Sequence, residues 1–398
     1  AVRKALPWLS FLKLRASYGL VGNDKITDRR FPYLTEIAEN TGAGWGSTTG
    51  GIKENYIGAD NLGWEKSKKT NIGLDSKFFG QKLDFTIDFF NDQRDGIFQP
   101  RVQIPSYVGL VNMPYGNTGR MRSWGTDGTL SYIGKINDNM SFTVRGNFTY
   151  SKNKIQYTEE DFKKYSYQSD IGWSRWIRRG YISLGLFRDD ADIENSPVQN
   201  FGTAPRPGDI KYKDVNGDGI INEDDIVPIS YPDHPRLMYG FGGEFRYKNL
   251  TVGVLFRGRG KTDFYWTQNR NGLGYLPFAE GQYGNVLAIA NDPKNRWTPR
   301  EYSGTADTEN PNARFPRLSY GANQNNQQVS TFWRGDSKYL KLQEVSLSYR
   351  LKNNPLKKIG VSSIDLQLVA ENLYVWDNVK LFDHELAYAV GEKYPIPA

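Results

Sequence analysis

The sequence predicts an all-β chain, part of a large antiparallel transmembrane β-barrel with long extracellular loops. Three observations predict it. Four pairs of long segments alternate apolar and polar residues with period two on both sides of a tight turn. The connections are short at one end of these pairs and long at the other, the asymmetry of a bacterial outer-membrane barrel. The composition, 14% aromatic with 41 glycines among 398 residues, suits strands joined by many turns.

The strands follow in chain order. Leu9 to Leu20 forms a leading strand whose alternation is less clean. In the first hairpin Ile72, Leu74, Ser76 and Phe78 face one way. After a Gly80-Gln81 turn, Leu83, Phe85, Ile87 and Phe89 face the same way against Asp84, Thr86 and Asp88. The second hairpin runs from Arg122 to Ile136, turns at Asn137-Asp138-Asn139, and returns through Phe142, Val144, Phe148 and Tyr150. The third pairs Leu237, Tyr239, Phe241, Phe245 and Tyr247 with Leu250, Val252, Val254 and Phe256 across Lys248-Asn249. The fourth pairs Tyr339–Leu351 with the run Ile364, Leu366, Leu368, Ala370, and a phase slip between Leu342 and Val345 predicts a β-bulge.

One face of nearly every strand is Leu, Ile, Val, Phe or Tyr. The other carries charge, amide, hydroxyl or glycine, including Asp84, Asp88, Arg145 and Asp365. Lipid outside and a wet or plugged lumen inside would produce that division. Phe89, Phe90, Tyr150, Tyr247 and Tyr349 near strand ends suit interfacial girdles. The long connections run over about Gly22 to Glu65, Gln99 to Gly119, Gln156 to Pro235 and Lys261 to Gly335, and they carry no period of their own. Bacterial barrels use even strand numbers. An odd count of nine, and a leading strand without an upstream partner, lead to the expectation that residues 1–398 are a portion of a larger barrel. The soluble alternative, a β-sandwich or propeller, predicts shorter strands and similar connections at both ends.

No apolar run reaches the length of a membrane helix, and mean hydropathy is −0.64. There is no cysteine, so disulfides and thiolate metal sites are excluded. Net charge is +7, but acids and bases interleave and no basic block appears, so no nucleic-acid partner is expected.

Several segments resemble one family. NLGWEKSKKTNIGLDSKFFGQKLDFTIDFFNDQRDGIF (Asn61 to Phe98) is similar to a strand pair of the SusC/RagA-type TonB-dependent transporters of Bacteroidetes. NTGRMRSWGTDGTLSY (Asn117 to Tyr132) resembles another family strand, departing from it at Ser123 and Asp127. PGDIKYKDVNGDGIINEDD (Pro207 to Asp225), YLKLQEVSLSYRL (Tyr339 to Leu351) and IDLQLVAENLYVW (Ile364 to Trp376) follow in the family's order. The resemblance implies a barrel of about 22 strands around an N-terminal plug. It implies TonB-energised import of a large nutrient, an oligosaccharide or a peptide. Its implied partners are a SusD-like surface lipoprotein, TonB acting through a region this chain lacks, the plug of the same protein, and outer-membrane lipid. The plug, the TonB box and the last strand are expected to lie outside this chain.

Within the expected extracellular loop 156–235, DVNGDGIINEDD at 214–225 reads as a calcium loop. Side-chain oxygens fall at Asp214, Asn216 and Asp218, the Ile220 carbonyl faces inward, Asn222 ligates directly or through water, and Asp225 closes the shell. Gly219 permits the turn. Hard oxygen donors at alternate positions suit Ca²⁺ in a structural role. The competing reading is a solvated Asx-rich turn. Asp rather than Glu at the twelfth position, and no flanking amphipathic helices, argue against a sensor switch.

Catalysis finds little support, no particular carboxylate pair is favoured, and no enzyme is expected: His234 sits in a proline-bounded turn, His384 lacks a second histidine, and both read as surface residues. Trp45, Trp173, Trp176, Tyr265 and Trp266 could stack on sugar rings or pack loops together. The run WSRWIRRGY (Trp173 to Tyr181) could bind anionic or sugar ligands, or pair with loop carboxylates. Importer, non-transporting adhesive barrel and secreted calcium-stapled glycan-binding protein are the readings the sequence leaves, and the resemblance favours the first.

Overall fold

In the computed structural model the described residues are 7–39, 51–59, 61–110, 112–232, 234–265, 286, 288–320, 323–352, 360–379 and 384–386. Nine long strands form one antiparallel meander: β1 (Leu9–Asn23), β2 (Glu65–Phe78), β3 (Leu83–Pro100), β4 (Tyr115–Asn137), β5 (Met140–Tyr157), β6 (Leu237–Tyr247), β7 (Leu250–Gly260), β8 (Tyr339–Leu351) and β9 (Ile364–Asp377). Each pairs with the next in sequence. No helix among the described residues is long and apolar enough to cross a membrane.

Residues paired across antiparallel strands share a face, so the register separates the two faces of the sheet. Leu14↔Leu74, Leu74↔Ile87, Phe85↔Leu130, Leu130↔Gly146, Gly146↔Phe241, Phe241↔Phe256 and Val254↔Val345 carry the apolar face across eight strands. Leu14, Phe89, Phe241 and Leu368 are exposed on it. The band from Met140 to Tyr150, at about 3.3 Å per residue and a tilt near 40°, stands roughly 25 Å tall, the height of a barrel's lipid-facing band.

Several glycines in these strands sit under aromatic rings. A Cβ on Gly128 would meet the Phe148 ring at 2.8 Å, and one on Gly258 the Tyr239 ring at 2.4 Å. The ring replaces the side chain that the glycine lacks. Phe90 does the same on the polar face over Gly125. That corrects its expected place in a girdle: Phe90 pairs with Asn71 and Gly125, on the side opposite Phe89.

The bulge falls where the phase slip predicts it. Gln343 is skipped between Leu255↔Glu344 and Phe256↔Leu342, and its amide donates to Asn372, itself at φ 56°. Three inter-strand turns are short. The fourth is not: it runs over residues 352–363, of which 353–359 lie outside the described residues. Strands also outrun the predicted bounds at the loop end. β4 begins at Tyr115 and stays paired to β3 beyond the alternating stretch, because backbone pairing needs no apolar face once past the bilayer.

Candidate functional site

The polar face is organised by ion pairs. Arg15 makes a bidentate pair with Asp75 at 2.9 Å and reaches Asp88 at 2.8 Å. Gly73 makes the room: a Cβ there would stand 2.4 Å from the Asp88 carboxylate. Lys77 pairs with Asp84 at 3.3 Å, Arg145 with Glu244 at 3.0 Å and Arg350 with Asp365 at 2.6 Å. All four charges the sequence assigned to this face, Asp84, Asp88, Arg145 and Asp365, lie on it. A cavity of ≈ 920 Å³ runs along β4 to β8, with Asp127, Arg145, Asn147, Arg257, Arg259 and Glu385 among its walls.

At the loop end, the two longest connections fold into a unit with its own core. Tyr181, Leu186, Ile210, Tyr212 and Ile221 from the connection after β5 pack with Phe264, Trp297, Phe315 and Trp333 from the connection after β7. Burial pushes the Tyr181 hydroxyl up to about 12. Short ladders knit the chain: Ser183–Leu186 with Ile210–Tyr212, Arg179–Gly180 with Val227–Pro228, and Asp263–Tyr265 with Arg334–Asp336. These connections therefore have structure of their own, where the sequence showed no period.

A buried polar network locks the two connections. Asp209 is fully buried and forms an ion pair with Arg317 at 2.8 Å. It also accepts from the amides of Asn323 and Asn326 at 2.9 and 2.8 Å. Beside it Gln199 donates to Asn325, the Asn325 amide donates to the Ile210 carbonyl at 3.0 Å, and the Tyr212 hydroxyl donates to the Asn325 carbonyl at 2.7 Å. Sequence reasoning missed this network. The amide-rich stretch from Asn323 to Gln328 was its only signal, and such a run reads equally as a solvated loop.

The 214–225 loop sits on this unit. Ile221 is fully buried in the core, and Ile220 pairs with Val198. Gly217 and Gly219 take φ of 77° and 84°, which only glycine adopts without strain, as the motif requires. Asp214 accepts from the Gly217 and Gly219 N–H groups at 2.6 and 2.8 Å. Asn216 donates to Asp218, which accepts from Ile220 N–H at 2.9 Å. Asn222 accepts from Asp224 N–H, and fully buried Asp225 accepts from Val215 and Asn222 N–H at 2.7 and 2.9 Å. The carboxylates thus turn onto the loop's own backbone. Among the described residues no three His, Cys, Asp or Glu side chains converge as a metal shell.

The neighbouring Asp224 docks the loop. Its carboxylate takes Lys164 at 2.6 Å and Gln168 at 3.2 Å, and its carbonyl accepts from the Tyr167 hydroxyl at 2.7 Å. The Lys164 hydrogen bond holds the Asp224 carboxyl below its ordinary value.

The aromatic candidates divide. Trp173 and Trp176 are 39% and 57% exposed, and Trp176 holds φ 65° with Arg175 stacked on it at 4.8 Å. Tyr265 is covered by Arg178, and Arg179 pairs with Asp170. Trp45 and Trp266 lie outside the described residues. His234 is exposed as expected. His384 is not: it is buried, edge-on to Tyr339 of β8 at 4.2 Å.

Comparison with known proteins gives a consistent result. The family described as TonB dependent receptor-like, beta-barrel matches residues 2–270. The chain is 27% identical over 384 residues to TonB-dependent receptor P26 of Formosa agariphila, covering 94% of this chain and 36% of that protein. It is 24% identical over 298 residues to TonB-dependent receptor SusC of Bacteroides thetaiotaomicron, covering 71% of this chain and 28% of that one. Its fold is similar to the RagAB peptide importer in the open-open state, with TM-score 0.68 and 20% identity over 96% of this chain and 38% of that one. The chain therefore spans about a third of the length of these relatives.

Proposed function

The chain belongs to the TonB-dependent receptor-like β-barrel family of the outer membrane, and from that premise we propose that it forms part of a SusC-like importer for a large nutrient. The cargo is an oligosaccharide or a peptide, drawn in with energy delivered through TonB and closed over by a SusD-like surface lipoprotein. Proteins of this family are transporters rather than enzymes.

The observation that carries the reading is the division of the sheet. A band roughly 25 Å tall faces lipid, and the opposite face is lined with fixed ion pairs and a cavity of ≈ 920 Å³. At its loop end stands a cross-braced unit with exposed Trp173 and Trp176, a surface suited to cargo or to a lipoprotein lid. The test deletes the whole native gene and measures growth on single polymeric glycans and on peptides. Loss of growth on one nutrient class, with the lipoprotein co-purifying with the intact protein, supports the proposal. Unchanged growth on all of them leaves the adhesive barrel instead.

Calcium at 214–225 belongs to the same proposal. The donor chemistry fits: three carboxylates, two amide oxygens and the Ile220 carbonyl are hard ligands. Asp214, Asn216, Asp218, Asn222 and Asp225 would hold the ion. The ion would cross-link a loop already closed by its own hydrogen bonds, stiffening the outer unit.

A further inference from the structure

The lipid-facing side of the sheet ends, at the loop end, in a group of cations. We propose that Arg122, Lys152, Lys154 and Lys261 bind the phosphate of an anionic lipid headgroup in the outer leaflet, above the rings of Trp124 and Tyr150.

The register places them. Thr126↔Tyr150, Trp124↔Lys152 and Arg122↔Lys154 continue the pairing that carries the apolar face through Leu130↔Gly146 and Gly128↔Phe148. The face therefore passes from apolar to aromatic to cationic within a few residues of two adjacent strands. Lys261 follows β7 directly. Its ammonium lies 5.3 Å from the Tyr150 ring centre, and that of Lys152 lies 5.6 Å from the same ring. The Arg122 guanidinium stacks over Trp124 at 5.3 Å. The rings thus gather three of the four charges at one level. Lys152 and Lys154 stand two and four residues beyond Tyr150, about 5 and 10 Å higher along a tilted strand. Lys152 thus stands in the headgroup layer, a polar zone roughly 5–8 Å thick outside the hydrocarbon, and Lys154 just above it, within the reach of a long flexible side chain.

Their gathering around two rings on the lipid-facing side, with no carboxylate among them, distinguishes these cations. Elsewhere on the sheet Lys68 pairs with Asp95, Lys77 with Asp84, Lys135 with Asp138 and Arg350 with Asp365. Arg122, Lys152, Lys154 and Lys261 have no carboxylate within ion-pair distance among the described residues. Like charges drawn together repel, and an anion between them removes that cost. Phosphate offers several acceptor oxygens to converging ammonium and guanidinium donors. The apolar strip directly beneath suits the acyl chains of a lipid, which a free anion lacks.

The inference rests on the bilayer position of this face and not on which nutrient is imported. The test uses the intact transporter purified from outer membranes in nonionic detergent, titrated with diphosphoryl lipid A and followed by native mass spectrometry. Each cation near an anionic surface contributes a factor of roughly five, so Lys152→Gln with Lys154→Gln is expected to weaken binding about 25-fold. Lys68→Gln with Lys135→Gln, which removes two paired lysines, is expected to leave affinity within about twofold. Fully dephosphorylated lipid, which forfeits all four cations, is expected to bind wild type more weakly still than the phosphorylated lipid binds the first variant. Unchanged migration of the unheated barrel on gels confirms that the variants fold. The proposal is overturned if the Lys152/Lys154 variant binds like wild type or if the dephosphorylated lipid binds equally well. Inorganic phosphate binding as tightly as the lipid also overturns it, since that marks an unspecific anion patch.

Discussion

Replacing Asp209 by alanine should open the outer loop unit while leaving the barrel strands closed. Asp209 is fully buried, and Arg317 beside it is only 16% exposed. The substitution strands that guanidinium together with the amides of Asn323 and Asn326. Breaking one side of a buried ion pair costs about 3–5 kcal/mol. Each orphaned amide adds roughly 1 kcal/mol or more unless water enters. A local loss of about 3 kcal/mol raises amide exchange through local opening roughly 150-fold. Exchange mass spectrometry on the detergent-solubilised intact protein should show that acceleration at residues 186–212 and 323–333. The ladder amides of β3 to β7 should keep their protection, because their hydrogen bonds lie within the sheet. Replacing both partners, Asp209→Leu with Arg317→Met, should recover much of the protection, since no charge is left buried. Exchange in the loop unit unchanged within about fivefold in the Asp209→Ala variant would refute the reasoning that this network holds the two connections together.

Three further outcomes follow from particular contacts. Gly242→Ala would place a Cβ 2.3 Å from the Val254 carbonyl oxygen, forcing β6 and β7 apart; it should destabilise by about 1–3 kcal/mol, whereas Gly19→Ala, with open space around it, should be near neutral. Thermal melting of the unheated gel band separates the two. Calorimetry with Ca²⁺ should give a dissociation constant on the order of 10⁻⁴–10⁻³ M that is lost in Asp218→Ala, and no heat in the wild type removes calcium from the proposal. The Asp224 carboxyl is held below its ordinary value of 3.8, so its docking to Lys164 is fully present above that pH and disappears as pH falls through the lowered value. Exchange at residues 164–168 should therefore be flat from pH 7 to 5 and rise, after correction for intrinsic rates, only below about pH 4.

The strands were legible because a single physical demand fixes each of them. A chain crossing lipid between polar lumen and hydrocarbon must alternate, so Ile72-Leu74 and Leu83-Phe89 announce both their conformation and their face. The same logic located the bulge, since inserting Gln343 shifts the parity of everything after it. The logic weakens where a residue answers to a neighbour rather than to lipid. Phe90 is aromatic and close to a strand end, yet it covers Gly125 on the polar face. His384 looked exposed because nothing in its own segment says that Tyr339, 45 positions earlier, stands beside it.

The sequence by itself determined nine strands, their hairpin order, the division into lipid and lumen faces, and the glycine-bearing turn of 214–225. These are local properties, written in period two and in residues that tolerate positive φ. Only the tertiary structure decided that the connections after β5 and β7 form one body. Asp209 meets Arg317, Asn323 and Asn326 across more than a hundred residues, as Gln199 meets Asn325. Such meetings carry no periodicity, because the partners are brought together by strands that lie between them in sequence. The sheet supplies the proximity, and burial then makes each amide and carboxylate find a partner.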